Sequence, residues 1–458
     1  METRFSRRAA LALALVLAAA PAAAPASSFQ LLEQNASGLG NAYAGQAAAA
    51  EDASTVFFNP AGMARLPRGQ AVLGLSLVRP SPEFQDAGST PATLQAPGGA
   101  GGDGGSLGLV PSGYVTWEAL PGRLWTGLGV NVPFGLVTEW GGGWIGRFHA
   151  LKSDVKTVNV NPSVAWKLND WASVGAGVSA MWMQATLTNS VNYSAIAFGV
   201  GGAAALGALA ATCPAAGPTG AGCEGVGRVK GDDWGFGWNV GVLLDLPTRT
   251  RIGLSYRSTV TQELTGTATF ENRPALLAAG LPDGDIRAEV TLPDTASIAV
   301  AQQVLPRLEL LADYTWTGWS ALQDLSIFRA SGQGLTSTPL EFEDSWRAGL
   351  GASFQATDPL KLRAGVAHDR TPVQDEDRTP RLPDADRTWL AAGAQWAFSD
   401  RAAVDVGFAW LLLGDAPSAL PNLDPAPPAG FAATPRGTLA GEYDGTVWIA
   451  GLQARYGF

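Results

Sequence analysis

The chain has 458 residues, with 30 Lys and Arg against 40 Asp and Glu, a net charge of −10 and only 15% charged residues, while Gly (57) and Trp (16) are plentiful. So acidic a chain is a poor partner for nucleic acid, whose binding rests on phosphate neutralisation by basic side chains. A charge content well below the usual quarter or so leaves much of the surface to something other than water, and no linker or change of composition divides the chain into separate domains.

At the N-terminus, Arg4, Arg7 and Arg8 precede an apolar run from Ala9 to Ala20, and Ala24-Pro25-Ala26 closes it as a small-x-small cleavage site. Residues 1–26 therefore read as a secretory signal peptide; the run is too short, and its end too interrupted by proline, for a spanning helix. Its removal takes away three arginines and one glutamate and leaves 27 basic against 39 acidic residues.

Residues 27–68 form a Gly- and Ala-rich preamble without strand alternation, ending in STVFFNPAGM, where Asn59-Pro60-Ala61-Gly62 is a strong turn signal. Gly38, Gly40 and Gly45 lack the strand-turn-helix setting of a nucleotide loop. Small residues of this kind suit a folded plug in a crowded lumen.

From residue 69 onward the signal is period-two alternation in long segments. Trp234, Phe236, Trp238, Val240, Val242, Leu244 and Leu246 alternate with Asp233, Gly235, Gly237, Asn239 and Gly241, and the last segment, from Trp448 to Phe458, ends the chain on an aromatic residue. Fourteen such segments are predicted, near 69–79, 109–118, 123–132, 154–168, 171–188, 232–246, 249–270, 286–304, 307–319, 341–356, 359–370, 387–398, 401–412 and 444–458. Short turns such as Leu120-Pro121-Gly122 and Ser399-Asp400 alternate strictly with long connections. An even strand number with tight turns at one end and long loops at the other predicts an all-β, 14-stranded antiparallel transmembrane barrel over residues 69–458. A soluble sandwich lacks this asymmetry. Closure is required because open sheet edges in hydrocarbon leave backbone groups unpaired at several kcal/mol each.

Two details depart from a plain barrel. Asn131-Val132-Pro133-Phe134-Gly135 places a residue that cannot donate to the ladder at the end of the third segment, so the strand either stops or breaks there. Residues 195–211, AIAFGVGGAAALGALAA, are apolar within a long connection. A spanning helix there would disturb strand parity, so an apolar loop element outside the membrane is expected. Nearby, Cys213 and Cys223 could close a small loop as a disulfide; zinc is the rival reading, without a histidine to support it.

The blocks FQLLEQNASGLGNAYAGQAA (29–48), NPAGM (59–63), DWGFGWNVGVLLDL (233–246), RIGLSYRS (251–258), YTWTGWS (314–320) and RLPDADRTWLAAGAQWAFS (381–399) resemble the FadL family of outer-membrane transporters for long-chain fatty acids and other hydrophobic compounds. The resemblance implies a barrel with an N-terminal hatch (27–68) inside the lumen, in the outer membrane of a Gram-negative bacterium. It implies capture on apolar outer loops, transfer to an internal pocket, and lateral release through a break in the third strand at Asn131, Pro133, Phe134 and Gly135. Phe29, Leu31, Phe57, Phe58 and Asn189 become candidate substrate-binding residues, and Asn59, Pro60, Ala61 and Gly62 the hatch turn.

The ligand implied is a long-chain fatty acid or a hydrocarbon, and the surroundings are outer-membrane lipid and lipopolysaccharide, with one chain acting alone as a monomer. Where basic side chains would hold a carboxylate, the end of strand five offers Thr188 and Asn189, and the start of strand ten offers Glu341, Glu343 and Asp344 before Arg347, which raises the case for a neutral ligand. No enzyme, cofactor or metal site is expected: His149 and His368 are the only histidines, and Asp375-Glu376-Asp377 reads as a solvated loop run with calcium as a weaker reading. The alternative function is a general diffusion porin or a structural barrel.

Overall fold

The structure, a computed structural model, describes residues 28–213, 215–422 and 435–458; the expected signal peptide lies outside the described residues. The long alternating segments form β1 (Gln70–Pro80), β2 (Gly108–Leu120), β3 (Leu124–Asn131 and Gly135–Glu139), β4 (Lys152–Asn169), β5 (Ala172–Asn192), β6 (Glu224–Leu246) and β7 (Thr250–Arg257 and Val260–Phe270). They continue as β8 (Gly284–Leu292 and Thr295–Leu305), β9 (Leu308–Thr317 and Asp324–Arg329), β10 (Gly334–Pro339 and Ser345–Gln355), β11 (Leu360–Asp369), β12 (Arg387–Ala397), β13 (Ala402–Leu413) and β14 (Thr446–Gly457). Each pairs antiparallel with its sequence neighbour, and β14 returns to β1 from Gln70↔Gly457 to Pro80↔Val447, closing a 14-stranded barrel.

The outward face is apolar and unburied by protein: Trp234 is 52%, Phe236 73% and Leu350 63% exposed. Large apolar side chains left in water forgo about 1.5–3 kcal/mol each, so a band of this size is stable only against lipid. On β5 the outward side chains between Trp171 and Trp182 are uncharged. Eleven residues at about 3.4 Å each, tilted by about 45°, rise roughly 26 Å, which matches the apolar band of an outer-membrane barrel.

Residues 28–66 fold inside the barrel as a hatch of short turns, α1 (Ala36–Leu39), α2 (Gln46–Ala49), α3 (Thr55–Phe58) and a 3-10 turn over Pro60–Arg65. Asn59 sets the last bend: its side-chain amide donates to the Ala47 and Val242 carbonyls at 2.7 and 3.0 Å and its oxygen accepts from the Ala61 amide. Gly241 lies against Asn59 and Gly365 against the Asn41 backbone so closely that a Cβ at either would collide, which explains glycine on the inner wall. Ion pairs seat the hatch: Glu51 meets Arg363 at 2.7 Å and Lys361 at 3.1 Å, Arg363 meets Asp405 at 2.8 Å, and Gln453 donates to Asp52 at 2.8 Å. Against the desolvation of burial, Lys361 and Arg363 hold the Glu51 carboxyl well below the usual carboxylate range.

Five strands are interrupted, β10 between Pro339 and Ser345 among them, where the sequence pattern points to only one. Besides β3, β7 breaks at Ser258-Thr259, β8 at Pro293-Asp294 and β9 after Thr317. The three lie side by side, since Thr295 pairs with both Arg257 and Thr317 and Leu292 with Val260. Asp294 holds them together, accepting from Tyr256 Oη at 2.7 Å through its carboxylate and from the Gly318 amide at 3.0 Å through its carbonyl. Each of the first two breaks resets the in-out alternation, so that Val260, Leu264, Val290 and Leu292 turn into the lumen.

Candidate functional site

Those reset side chains build an internal cavity. It is lined almost wholly by apolar side chains, Leu136, Val155, Met183, Leu264, Val290, Leu325 and Phe342 among them. Its floor is an aromatic cluster in which Phe29 lies 5.8 Å from Phe134 and 5.0 Å from Trp319, and Trp319 lies 5.8 Å from Phe342. Above it a second cavity of about 900 Å³ opens among the outer loops, lined by Phe148, Asn189, Val191, Ile196, Arg228 and Arg436. Leu187, Val229, Leu325, Ile327, Thr338 and Arg381 line both, so the two meet along one wall.

Arg381 is the charged group at that junction. Among the described residues its guanidinium donates only to neutral oxygens, the carbonyls of Lys152 (3.4 Å) and Thr188 (3.5 Å), the Ser153 hydroxyl (3.4 Å) and Asn189 Oδ1 (3.3 Å). Burial, and then the charge of Arg436, lower its pKa to about 9. The loop carrying it is pinned on both sides, by Trp140 donating to the Pro380 carbonyl at 2.9 Å and by Thr138 donating to the Arg381 carbonyl at 3.1 Å. A cation held by dipoles alone in an apolar pocket is suited to an anion brought by a ligand.

Beneath the cavity, β3 is broken within the wall at Pro133. The N-terminal segment supplies what the ladder lacks: Leu31 N–H donates to the Pro133 carbonyl and Gly135 N–H to the Phe29 carbonyl, both at 2.8 Å. Gln34 donates to the Val132 carbonyl at 2.8 Å, and Thr157 Oγ1 accepts from Phe134 N–H and donates to its carbonyl. The buried break is thus satisfied by side chains and hatch, as backbone at membrane depth must be. Next to it, Glu33 is fully buried, and among the described residues neither of its carboxyl oxygens has a hydrogen-bond partner. Burial pushes its pKa up to about 7, against the opposing fields of nearby backbone amides and Arg387.

The candidate residues from the sequence divide among these places. Phe29 is at the floor of the inner cavity and Asn189 on the wall of the outer one, beside Arg381. Leu31, Phe57 and Phe58 instead border a third space of about 770 Å³ on the far side of the N-terminal segment, where Phe57 lies under the Arg257 guanidinium at 4.4 Å. Asn131, Pro133, Phe134 and Gly135 surround the strand break. Cys213 and Cys223 are bonded to each other. Residues 195–211 belong to a helix, α4 (Tyr193–Thr212), in the outer loop between β5 and β6. Arg381 escapes sequence reasoning because it belongs to a loop far from strands five and ten; its signal is a basic residue among Pro380, Leu382 and Pro383. His149 is half-buried with Nε2 3.0 Å from the Gly437 carbonyl, and desolvation, then the charge of Arg436, lowers its pKa to about 3, so it is neutral. Among the described residues no group of acidic, histidine or cysteine side chains could hold a metal.

The family described as "Outer membrane protein transport protein (OMPP1/FadL/TodX)" matches residues 16–458. The chain belongs to the FadL family. It is 34% identical over 397 residues to the 47 kDa outer membrane protein of Pasteurella multocida, covering 84% of this chain and 87% of that one. It is 30% identical over 416 residues to a long-chain fatty acid transport protein of Escherichia coli, covering 87% and 90%. A Pseudomonas aeruginosa FadL homologue of known structure superposes with a TM-score of 0.82 at 25% identity, covering 94% of this chain and all of that one. The Pseudomonas putida toluene transporter TodX shares the fold alone, with a TM-score of 0.63 at 17% identity over 89% of this chain and 94% of that one. As a FadL-family member the protein is an outer-membrane transporter of hydrophobic compounds in a Gram-negative bacterium, and not an enzyme.

Proposed function

We propose that this FadL-family barrel takes up long-chain fatty acids and releases them sideways into the membrane. The observation that carries the substrate class is Arg381, a cation that has no carboxylate partner among the described residues, where the two cavities meet. An acid bound tail-down would put its carboxylate at Arg381 and its chain between Leu264, Val290 and Phe342, with the tail tip against Phe29. This reverses the weight that Thr188 and Asn189 give to a neutral ligand.

The release step depends on the backbone contacts of Phe29. The same residue that floors the cavity accepts the Gly135 amide across the β3 break. A tail that displaces Phe29 also withdraws the segment that fills the break, and the chain can slide into lipid there. A straight aqueous route would expose the tail to water at about 0.8 kcal/mol per methylene. Phe57 and Phe58, below the N-terminal segment, then act as hatch packing and Leu31 as part of the closure. An open diffusion pore or a purely structural barrel has less support, because the Glu51–Arg363–Asp405 cluster and the hatch fill the lumen. The test is uptake of labelled oleate by a host deleted for its own transporters. Expression of this chain restores uptake on the proposed reading, and no gain over empty vector rejects it.

A further inference from the structure

Among the described residues, Arg257 is a second luminal cation that meets no carboxylate. Elsewhere inside the barrel guanidinium groups are paired with acids: Arg363 bonds Glu51 and Asp405, and Arg347 bonds Asp313 at 3.0 Å. Arg257 has only neutral partners. It donates to Ser179 Oγ at 3.2 Å and to the Phe57 carbonyl of the hatch at 2.9 Å, and it covers the Phe57 ring.

Its neighbour across the ladder completes a donor pair. Asn239 on β6 is the register partner of Arg257 on β7, and both line the third space, on the far side of the N-terminal segment. Asn239 is only 2% exposed. Its Oδ1 accepts from Asn161 Nδ2 at 3.0 Å, and among the described residues its own Nδ2 has no hydrogen-bond partner. A buried amide donor left unpaired is destabilising, and a charged acceptor makes the stronger bond to it. A guanidinium beside an amide N–H is a donor set for one carboxylate, each oxygen taking one donor. The Arg347–Asp313 pair also borders the space but is neutral as a pair, so Arg257 supplies the net positive charge. Leu31, Leu32, Tyr43 and Phe58 face the same space, which suits an acid with an apolar tail better than a free inorganic anion.

We propose that Arg257 and Asn239 form a second carboxylate station, in which the Phe57 carbonyl is the resident stand-in: an arriving carboxylate takes its place at the guanidinium and frees the hatch from β7. The position suits this role. Gln30 and Leu31 border the same space, and the Leu31 N–H is one of the donors that close the β3 break. A head group held at Arg257 is therefore beside the segment that a departing tail must displace. Arrival of the acid there from Arg381 rests on the uptake reading, whereas binding at Arg257 is measured separately.

The experiment uses the full mature barrel in lipid nanodiscs, with a 4-fluorophenyl ring in place of that of Phe57, and follows the fluorine resonance as octanoate or methyl octanoate is added. The ring lies 4.4 Å from the guanidinium, so a carboxylate arriving there changes its surroundings. The expected result is a saturable shift with octanoate and at least about tenfold weaker binding of the ester. Octanoate binding should weaken at least about tenfold in R257M and about fivefold in N239L. Heat-modifiable migration checks that each barrel is assembled, and N239L, which keeps the guanidinium, carries the test if R257M does not assemble. No shift in wild type, equal binding of acid and ester, or an unchanged titration in the assembled variants overturns the proposal. So does the same shift from sodium chloride alone, which would make the pair a general anion site. Oleate affinity unchanged in R381M refutes the uptake reading and leaves the octanoate result standing on its own.

Discussion

Replacing Arg381 by Met removes the cation while keeping an unbranched side chain among the apolar residues of the cavity wall. A carboxylate about 4 Å from a guanidinium in a medium of effective dielectric near 20 is attracted by about 4 kcal/mol, and desolvating both charges takes back part of this. Truncating one partner of a hydrogen-bonded charge pair out of water costs about 2–5 kcal/mol in binding. Arg381 is only partly buried and shares its field with Arg436, so the lower end applies, about 2–3 kcal/mol, or a roughly 30- to 150-fold weaker Kd for oleate. Methyl oleate, without the charge, should bind both proteins within about twofold. Calorimetry or displacement of a fluorescent fatty acid measures both ligands. The pH dependence has a fixed sign: free Arg381 has a pKa of about 9, so oleate affinity falls as pH rises past 9, and the variant loses that dependence. Wild-type oleate affinity in R381M refutes the assignment, and an equal loss for both ligands shows that the residue supports the loop and not the carboxylate.

Glu33, with a folded pKa raised to about 7 by burial, stabilises the seated hatch fully below its unfolded pKa near 4.5 and loses that contribution as pH rises through 7. The gap amounts to as much as roughly 3 kcal/mol. Hatch opening, read as transient conductance in planar bilayers, should therefore increase between pH 5 and 8, and E33Q should flatten that rise; an unchanged slope rejects the role. The opposite dependence belongs to Glu51, whose lowered pKa makes its anchor fail only as pH falls below about 4.5, with E51Q opening the hatch at neutral pH. Deleting residues 27–66 should leave an assembled barrel that leaks small solutes, whereas a sealed truncation would contradict the plug. Replacing Val132-Pro133-Phe134 by Val-Thr-Val should straighten β3, leaving oleate affinity within about threefold while slowing uptake at least tenfold, and unchanged uptake would argue against lateral exit.

The barrel is readable from the sequence because lipid imposes two rules at once: alternation on every strand, and short turns at one end only. The fourteen segments correspond in order to the fourteen strands for that reason. The break in β3 is readable because proline cannot donate to a ladder. The breaks in β7 and β9 are not, since Ser258-Thr259 and Gly318 are ordinary strand residues, and Pro293-Asp294 is masked by the long alternating run around it. Each reset changes which parity faces the lumen, so inward positions of β7 and β8 cannot be assigned by counting. The cavity wall is made of those positions. The hatch turn at Asn59 is legible from Asn-Pro, but its three hydrogen bonds depend on Ala47 and Val242, which no local pattern links. Arg381 escapes because a loop residue gains its role only from strands folded around it.

On the proposed reading this barrel carries long-chain carboxylic acids held at Arg381. The most direct measurement is mass spectrometry of the molecules that stay with the protein when it is purified without added lipid from cells grown on mixed fatty acids and hydrocarbons. Long-chain fatty acids are expected at close to one per barrel in wild type, with a marked loss in R381M. Neutral hydrocarbons alone, in equal amounts in both proteins, would contradict it.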